Sequence, residues 1–140
     1  MLLIFLLNSF NFFCSGNHEE NEYDNRVNNI TDFLKNEKNI NIDSCKQVYL
    51  LQANKCNSCN EENINYIFNE ISQQKNENPK IFVLNGFNEE IVKLLLQKQG
   101  QVDFRIVIDD KGSLDKKGLS FMKNLFISIC DRKVVKWKFY

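Results

Sequence analysis

The chain has 140 residues, a length typical of one domain. Basic and acidic residues each total 18, so the formal net charge is zero. This argues against a nucleic-acid partner, because nucleic-acid-binding proteins usually carry a basic excess. One histidine, His18, leaves little from which to build a metal-hydrolase site or a Ser-His-Asp triad, and we expect no bound metal. The five cysteines are the residues best suited to carry chemistry.

The N-terminus predicts an export signal. Residues 1–13 are apolar but fewer than the roughly 20 that span a bilayer, and a polar stretch follows, which is typical of a signal peptide. Cys14 ends the apolar run, before Ser15 and Gly16. This resembles a bacterial lipoprotein signal, in which the cysteine is lipidated. The alternative is an ordinary signal peptide or membrane anchor in which Cys14 is incidental.

The chain therefore divides into a signal peptide at 1–13, a lipoprotein tether at 14–25, an N-terminal helix and link at 26–44, and a main domain at 45–140. We expect the tether to be flexible because it lacks apolar periodicity. A lipid anchor would hold the domain at a membrane outside the cytoplasm, where disulfides form and persist.

Strand and helix patterns alternate along the rest of the chain. Helical spacing covers 26–38, 64–71 and 88–99, with Asn88 as the cap of the last of these helices; 114–122 is weakly helical. Strand-like runs cover 48–51, 81–84, 104–108, 125–129 and 134–140. Alternation implies parallel strands joined by crossovers, and the short turn at 131–132 implies a final antiparallel hairpin. The last strand alternates, with Val135, Trp137 and Phe139 on one side and lysines on the other, as on an exposed sheet edge.

A CxxC pattern lies where the first core strand meets the following helix. Free backbone N–H groups and the macrodipole at a helix N-terminus stabilise a thiolate, which lowers a cysteine pKa from about 8.5 toward roughly 3.5–7.5. Lys55 adds a nearby cation. Cys56 is therefore the predicted attacking thiolate and Cys59 the resolving thiol. The alternatives are a structural cysteine pair or half of a metal site.

The runs VYLLQANKCNSC, IFVLNG, RIVIDDKG and NLFISICDRKVV resemble the thioredoxin-like superfamily. The resemblance is to membrane-tethered bacterial thiol–disulfide oxidoreductases related to the alkyl hydroperoxide reductase and thiol-specific antioxidant family. It covers residues 45–140 and implies an α/β fold, with a central mixed sheet of about five strands and helices on both faces. It also implies an antiparallel fourth strand beside the first, which would bring Cys45 and Cys130 together in a structural disulfide. Two buried free thiols are the alternative.

The same resemblance implies an extracytoplasmic enzyme without a cofactor that exchanges disulfides with protein thiols and with a redox partner protein. Members usually carry a cis-proline before the fourth strand, facing the dithiol. Here that place falls near Met122 or Lys123, and the one proline is Pro79. Its absence favours the alternative of a redox-inactive lipoprotein that acts as a binding or scaffold module. A third hypothesis is a metallochaperone for a soft ion such as Cu(I).

Overall fold

The computed structural model describes residues 16–53, 61–62, 64–66, 68–69, 73, 78–99, 104–109 and 111–140. Its elements are α1 (Gly16–Asn36), β1 (Lys46–Gln52), β2 (Lys80–Asn85), α2 (Glu89–Gln99), β3 (Phe104–Asp109), α3 (Ser113–Lys116), β4 (Leu125–Cys130) and β5 (Lys133–Phe139). The described residues between 61 and 73 are also helical.

The five strands form one mixed sheet in the order β3-β2-β1-β4-β5. β1, β2 and β3 pair in parallel, whereas β4 runs antiparallel to both β1 and β5. Asp131 and Arg132 join β4 to β5 with φ values of 50° and 65°. Two residues with positive φ match the twist that a tight hairpin needs. The predicted mixed sheet, with parallel crossovers and a final hairpin, is confirmed.

Helices cover both faces of the sheet, as predicted. On one face α1 and α3 bury apolar side chains that include Val27, Ile30, Leu34 and Leu114. On the other face α2 and the helical residues after 61 bury Val92, Ile64 and Phe68. Phe82 and Leu84 of β2 are fully buried in this second layer. Each helix is amphipathic, so burying its apolar stripe against the sheet is what holds it there.

The first helix begins ten residues before the predicted start at residue 26. Residues 16–25, expected to be a flexible tether, form its first turns. The reason is tertiary, because the Tyr23 ring lies 5.6 to 6.1 Å from three other rings, those of Phe121, Trp137 and Phe139. Trp137 Nε1 also donates a hydrogen bond of 2.6 Å to Asp24 Oδ1. Within the described part of the chain, no helix is long and apolar enough to cross a membrane.

A β-bulge in the last hairpin corrects the predicted face of Val135. Ser128 pairs with Lys136 and Ile129 pairs with Val134, which leaves Val135 as the extra residue. Val135 is 65% exposed, whereas Val134 packs against the core under α1. Strict alternation failed here because one inserted residue moves every side chain before it to the opposite face.

The predicted helical connection at 114–122 is also shorter than expected. Only Ser113–Lys116 are helical, and Gly118 follows at a φ of 65°. A left-handed residue of this kind ends a helix, and glycine adopts it without strain. The remainder, up to Asn124, is a loop that leads to the start of β4.

Candidate functional site

The CxxC pattern follows the central strand of the sheet. β1 ends at Gln52, and the next described helical residue is Glu61. Lys55, Cys56 and Cys59 come between these positions and lie outside the described residues, as does Cys14. The carboxyl ends of β1, β2 and β3 meet at one edge because the three strands are parallel. The chain therefore enters the CxxC pattern from the middle of the edge where α/β folds usually place their ligands.

A polar residue ends each of the three parallel strands. Gln52, Asn85 and Asp109 are in register, so they form one row across the carboxyl edge. The residues two positions earlier on each strand pack under α1, so the row lies on the α1 face of the sheet. Asn85 is 4% exposed and Asp109 is fully buried. This row was not predicted from the sequence, although an apolar run that ends in a polar residue occurs three times along the chain.

Asn85 is the centre of the hydrogen bonds at this edge. Its Nδ2 donates to Gln52 Oε1 at 2.7 Å and to Asp115 Oδ1 at 3.0 Å. Its backbone carbonyl accepts a hydrogen bond of 3.0 Å from the N–H of Ala53. One residue of β2 therefore contacts both the last residue of β1 and the residue that follows it.

The loop before β4 is bonded to the same strand end. Asn124 Oδ1 accepts a hydrogen bond of 3.0 Å from the backbone N–H of Gln52. The Asn124 carbonyl accepts another, of 3.1 Å, from the N–H of Tyr140. Met122, at the place where the resemblance implies a proline, is fully exposed. Asn124 thus joins this loop to the strand that leads to Cys56.

Helix α1 holds the first part of that loop through Arg26. The guanidinium Nε donates to the carbonyl of Gly118 at 3.1 Å, and Nη2 donates to the carbonyl of Ser120. The guanidinium carbon lies 4.3 Å from the centre of the Phe121 ring, within cation–π distance. Two hydrogen bonds and a ring contact therefore fix the loop from α1.

Asp109 closes the other end of the polar row. Its Oδ2 accepts a hydrogen bond of 2.8 Å from the N–H of Leu114, the second residue of the short helix α3. Its Oδ1 lies 3.6 Å from Lys38 Nζ, so an opposite charge accompanies the buried carboxylate. Asp109 is the last residue of β3, and it links the turn that follows α1 to α3.

Two stacked tyrosines lie on the opposite face, beside the start of β4. The ring centres of Tyr49 and Tyr140 are 6.3 Å apart, with the rings nearly parallel. Burial raises the pKa of Tyr49, and burial and then the neighbouring Tyr49 raise the pKa of Tyr140. Both phenols therefore stay neutral at the pH values where cysteine thiols titrate. They supply no negative charge that would oppose a thiolate.

The other cysteine pair lies at the opposite end of the sheet. Cys45, just before β1, and Cys130, at the end of β4, are joined in a disulfide with Cα atoms 4.0 Å apart. Ala53 comes eight positions after Cys45 along the extended chain, a span of about 26 Å. The disulfide therefore lies at the far end of β1 from Ala53, the last residue described before the CxxC pattern. No cluster of three or more metal-ligating side chains occurs among the residues the structure describes.

The sheet order decides the fold class, because an antiparallel β4 lies beside β1 and helices cover both faces. The fold is thioredoxin-like. The crystal structure of StoA from Bacillus subtilis is similar, at 17% identity and a TM-score of 0.48 over 71% of this chain and 75% of that one. No protein-family model and no curated protein matches the chain. In this thioredoxin-like protein, the row of Gln52, Asn85 and Asp109 lies at the edge of the sheet from which the chain leads to the CxxC pattern.

Proposed function

We propose that this protein is an extracytoplasmic thiol–disulfide oxidoreductase that acts on protein thiols through Cys56 and Cys59. The observation that carries the proposal is the position of the CxxC pattern after the carboxyl end of the central strand β1, before helical residues that begin by Glu61. A cysteine at a strand-to-helix junction is within reach of the free N–H groups that stabilise a thiolate. Lys55 adds a positive charge next to Cys56.

The reaction needs no cofactor. The Cys56 thiolate attacks one sulfur of a substrate disulfide, and the S–S bond breaks to release the first substrate thiolate. Cys59, once deprotonated, attacks the Cys56 sulfur of the mixed disulfide and releases the second substrate thiolate. Two electrons pass from the dithiol to the substrate, and the released thiolates take up protons. A redox partner protein then reduces the Cys56–Cys59 disulfide, and the reverse sequence oxidises substrate thiols.

The second cysteine pair supports a location outside the cytoplasm. Structural disulfides such as Cys45–Cys130 persist in oxidising compartments and are rare in the cytosol. A lipid on Cys14 would provide the membrane anchor of this proposal. Because α1 begins at Gly16, that anchor would be followed by a helix rather than by a flexible tether. The domain would then have a restricted orientation at the membrane.

The test is the redox equilibrium of the full chain in glutathione buffers, with alkylated cysteines identified by peptide mass mapping. We expect Cys56 and Cys59 to convert together and reversibly, with a midpoint between roughly −270 and −120 mV. Cys45 and Cys130 should stay oxidised across the same range. The Cys56→Ser variant should lose the transition, and the Cys45→Ser/Cys130→Ser variant should keep it.

Two outcomes would overturn the proposal. Thiols at Cys56 and Cys59 that do not respond to the buffer would favour the redox-inactive binding module. Purification with one soft metal ion per chain, lost in Cys56→Ser, would favour the metallochaperone.

A further inference from the structure

The strand end that leads to Cys56 is held by hydrogen bonds from two other segments. The backbone N–H of Gln52 is bonded to Asn124, and its side chain is bonded to Asn85. The backbone N–H of Ala53 is bonded to the carbonyl of Asn85. Two of these three bonds come from Asn85, which is 4% exposed.

The orientation of the Asn85 amide is defined by its partners. Both Nδ2 hydrogens are used, one on Gln52 Oε1 and one on Asp115 Oδ1. Asp115 belongs to the short helix α3, so the amide spans from the α3 carboxylate to the end of β1. The Asp115 carboxylate can only accept, so a flipped Asn85 amide would place its oxygen against the carboxylate and lose both hydrogen bonds.

Cys56 comes three positions after Ala53, so the fixed strand end lies within about 10 Å of the cysteine along the chain. We propose that Asn85 is a positioning residue for Cys56: it sets the direction in which the chain leaves β1 and enters the CxxC pattern. This inference rests on the proposed function, since it assigns Asn85 a role in making Cys56 a thiolate. The role is positional, because the contacts of Asn85 are with Gln52, Ala53 and Asp115.

The mechanism is preorganisation. A thiolate at a helix start is stabilised only while the N–H groups point at the sulfur. In Asn85→Ala the backbone carbonyl at position 85 still accepts the hydrogen bond from Ala53, but the Gln52 side chain loses its bond to β2, so the end of β1 is held less firmly. The thiolate loses part of its stabilisation, so the pKa of Cys56 should rise.

The experiment compares Asn85→Ala with Thr31→Val in the full chain. Thr31 is 5% exposed in α1, and its hydroxyl donates a 2.6 Å hydrogen bond to the carbonyl of Asn28. Thr31→Val therefore also removes a hydrogen bond from a buried residue, away from the carboxyl edge. For each variant the alkylation rate of Cys56 is measured from pH 4 to 9, together with the free energy of unfolding.

We expect Asn85→Ala to slow the alkylation of Cys56 at pH 6 by about three- to tenfold and to move its pH profile to higher pH. Thr31→Val should lower stability and leave the profile unchanged. If Asn85→Ala does not fold, Gln52→Ala removes the same side-chain bond from the less buried partner, and its profile should move in the same direction.

Two results would overturn the positioning role alone. One is a folded Asn85→Ala variant whose Cys56 alkylation profile is the same as that of the wild type. If Gln52→Ala is used because Asn85→Ala does not fold, the same result in Gln52→Ala counts equally. The other is an equal shift in Thr31→Val, which would assign the effect to stability. A wild-type protein with no reversible Cys56–Cys59 transition would overturn the proposed function and this inference together.

Discussion

The two ends of β1 are held by different kinds of bond. At the amino end, Cys45 is covalently joined to Cys130, and Asp43 forms an ion pair with Arg132 across the same gap. At the carboxyl end, the bonds between Gln52 and its partners Asn85 and Asn124 are all hydrogen bonds. The same strand is thus cross-linked at one end and held non-covalently at the other.

The difference places the covalent cross-link at the opposite end of β1 from the strand end that leads to the CxxC pattern. A cross-link at the amino end lowers the entropy of the unfolded chain without touching the CxxC pattern. Hydrogen bonds at the carboxyl end can orient a reactive segment while adding no further sulfur that could exchange with it. About 26 Å of extended chain separates Cys45 from Ala53, the last residue described before the CxxC pattern.

The largest expected effect comes from breaking the covalent end. The disulfide links residues 85 apart in sequence, so Cys45→Ser/Cys130→Ser should lower the free energy of unfolding by about 4 kcal/mol. Urea denaturation of the full chain measures this. The matched control is Cys56→Ser/Cys59→Ser. It removes a link between residues only three positions apart, so it should lower the free energy of unfolding much less. Equal losses in the two double variants would contradict the structural role of Cys45–Cys130.

The carboxyl end is tested next through Arg26. Arg26→Met keeps the apolar stem and removes two hydrogen bonds to the carbonyls of Gly118 and Ser120. We expect a loss of about 2 kcal/mol in the free energy of unfolding, because the bonds have a charged donor. Hydrogen exchange should show faster opening at residues 118–124. Arg26→Lys is the control and should retain part of the stability that Arg26→Met loses. A fully stable Arg26→Lys variant would show that the positive charge, and not the guanidinium geometry, holds the loop.

A smaller effect is expected at Asn88, which follows β2 at the same edge. Its Oδ1 accepts hydrogen bonds from the N–H groups of Glu90 at 2.8 Å and Ile91 at 3.4 Å. Asn88→Ala should therefore lower the free energy of unfolding by about 1 kcal/mol. Asn88→Asp keeps an acceptor oxygen at the cap and should be nearly as stable as wild type. Neither change should alter the alkylation profile of Cys56. A shifted profile would mean that any loosening of this edge, and not only loss of Asn85, reaches the dithiol.

The smallest effect concerns the exposed ion pair at the amino end. The hydrogen bond from Arg132 holds the pKa of Asp43 below its usual value. A lowered folded-state pKa adds stability above the unfolded-state pKa of about 3.9, and that stability is lost as the pH falls through the folded-state value. Asp43→Asn should therefore be less stable than wild type at pH 6 and equally stable near pH 2. Added salt should reduce the difference at pH 6, and a difference that persists at pH 2 would assign it to another cause.

Much of the fold could be predicted from local patterns. Apolar runs located all five strands, and Asn88 was recognised as a helix cap, because both signals depend on residues close in sequence. The antiparallel pairing of β1 with β4 followed from the resemblance and brings Cys45 and Cys130 into contact. The roles of Cys14, Lys55, Cys56 and Cys59 stay predictions, since these residues lie outside the part of the chain that the structure describes.

The sequence by itself determined the alternation of elements and the place of the CxxC pattern in it, because hydrophobic periodicity and turn residues act over a few positions. Only the tertiary structure decided where α1 begins, which valine of β5 faces the core, and how the end of β1 is held. Tyr23 meets Phe139 across the fold, and Gln52 bonds to Asn124 over 72 residues. Contacts at that separation leave no periodic signal, because their geometry exists only after the sheet has assembled.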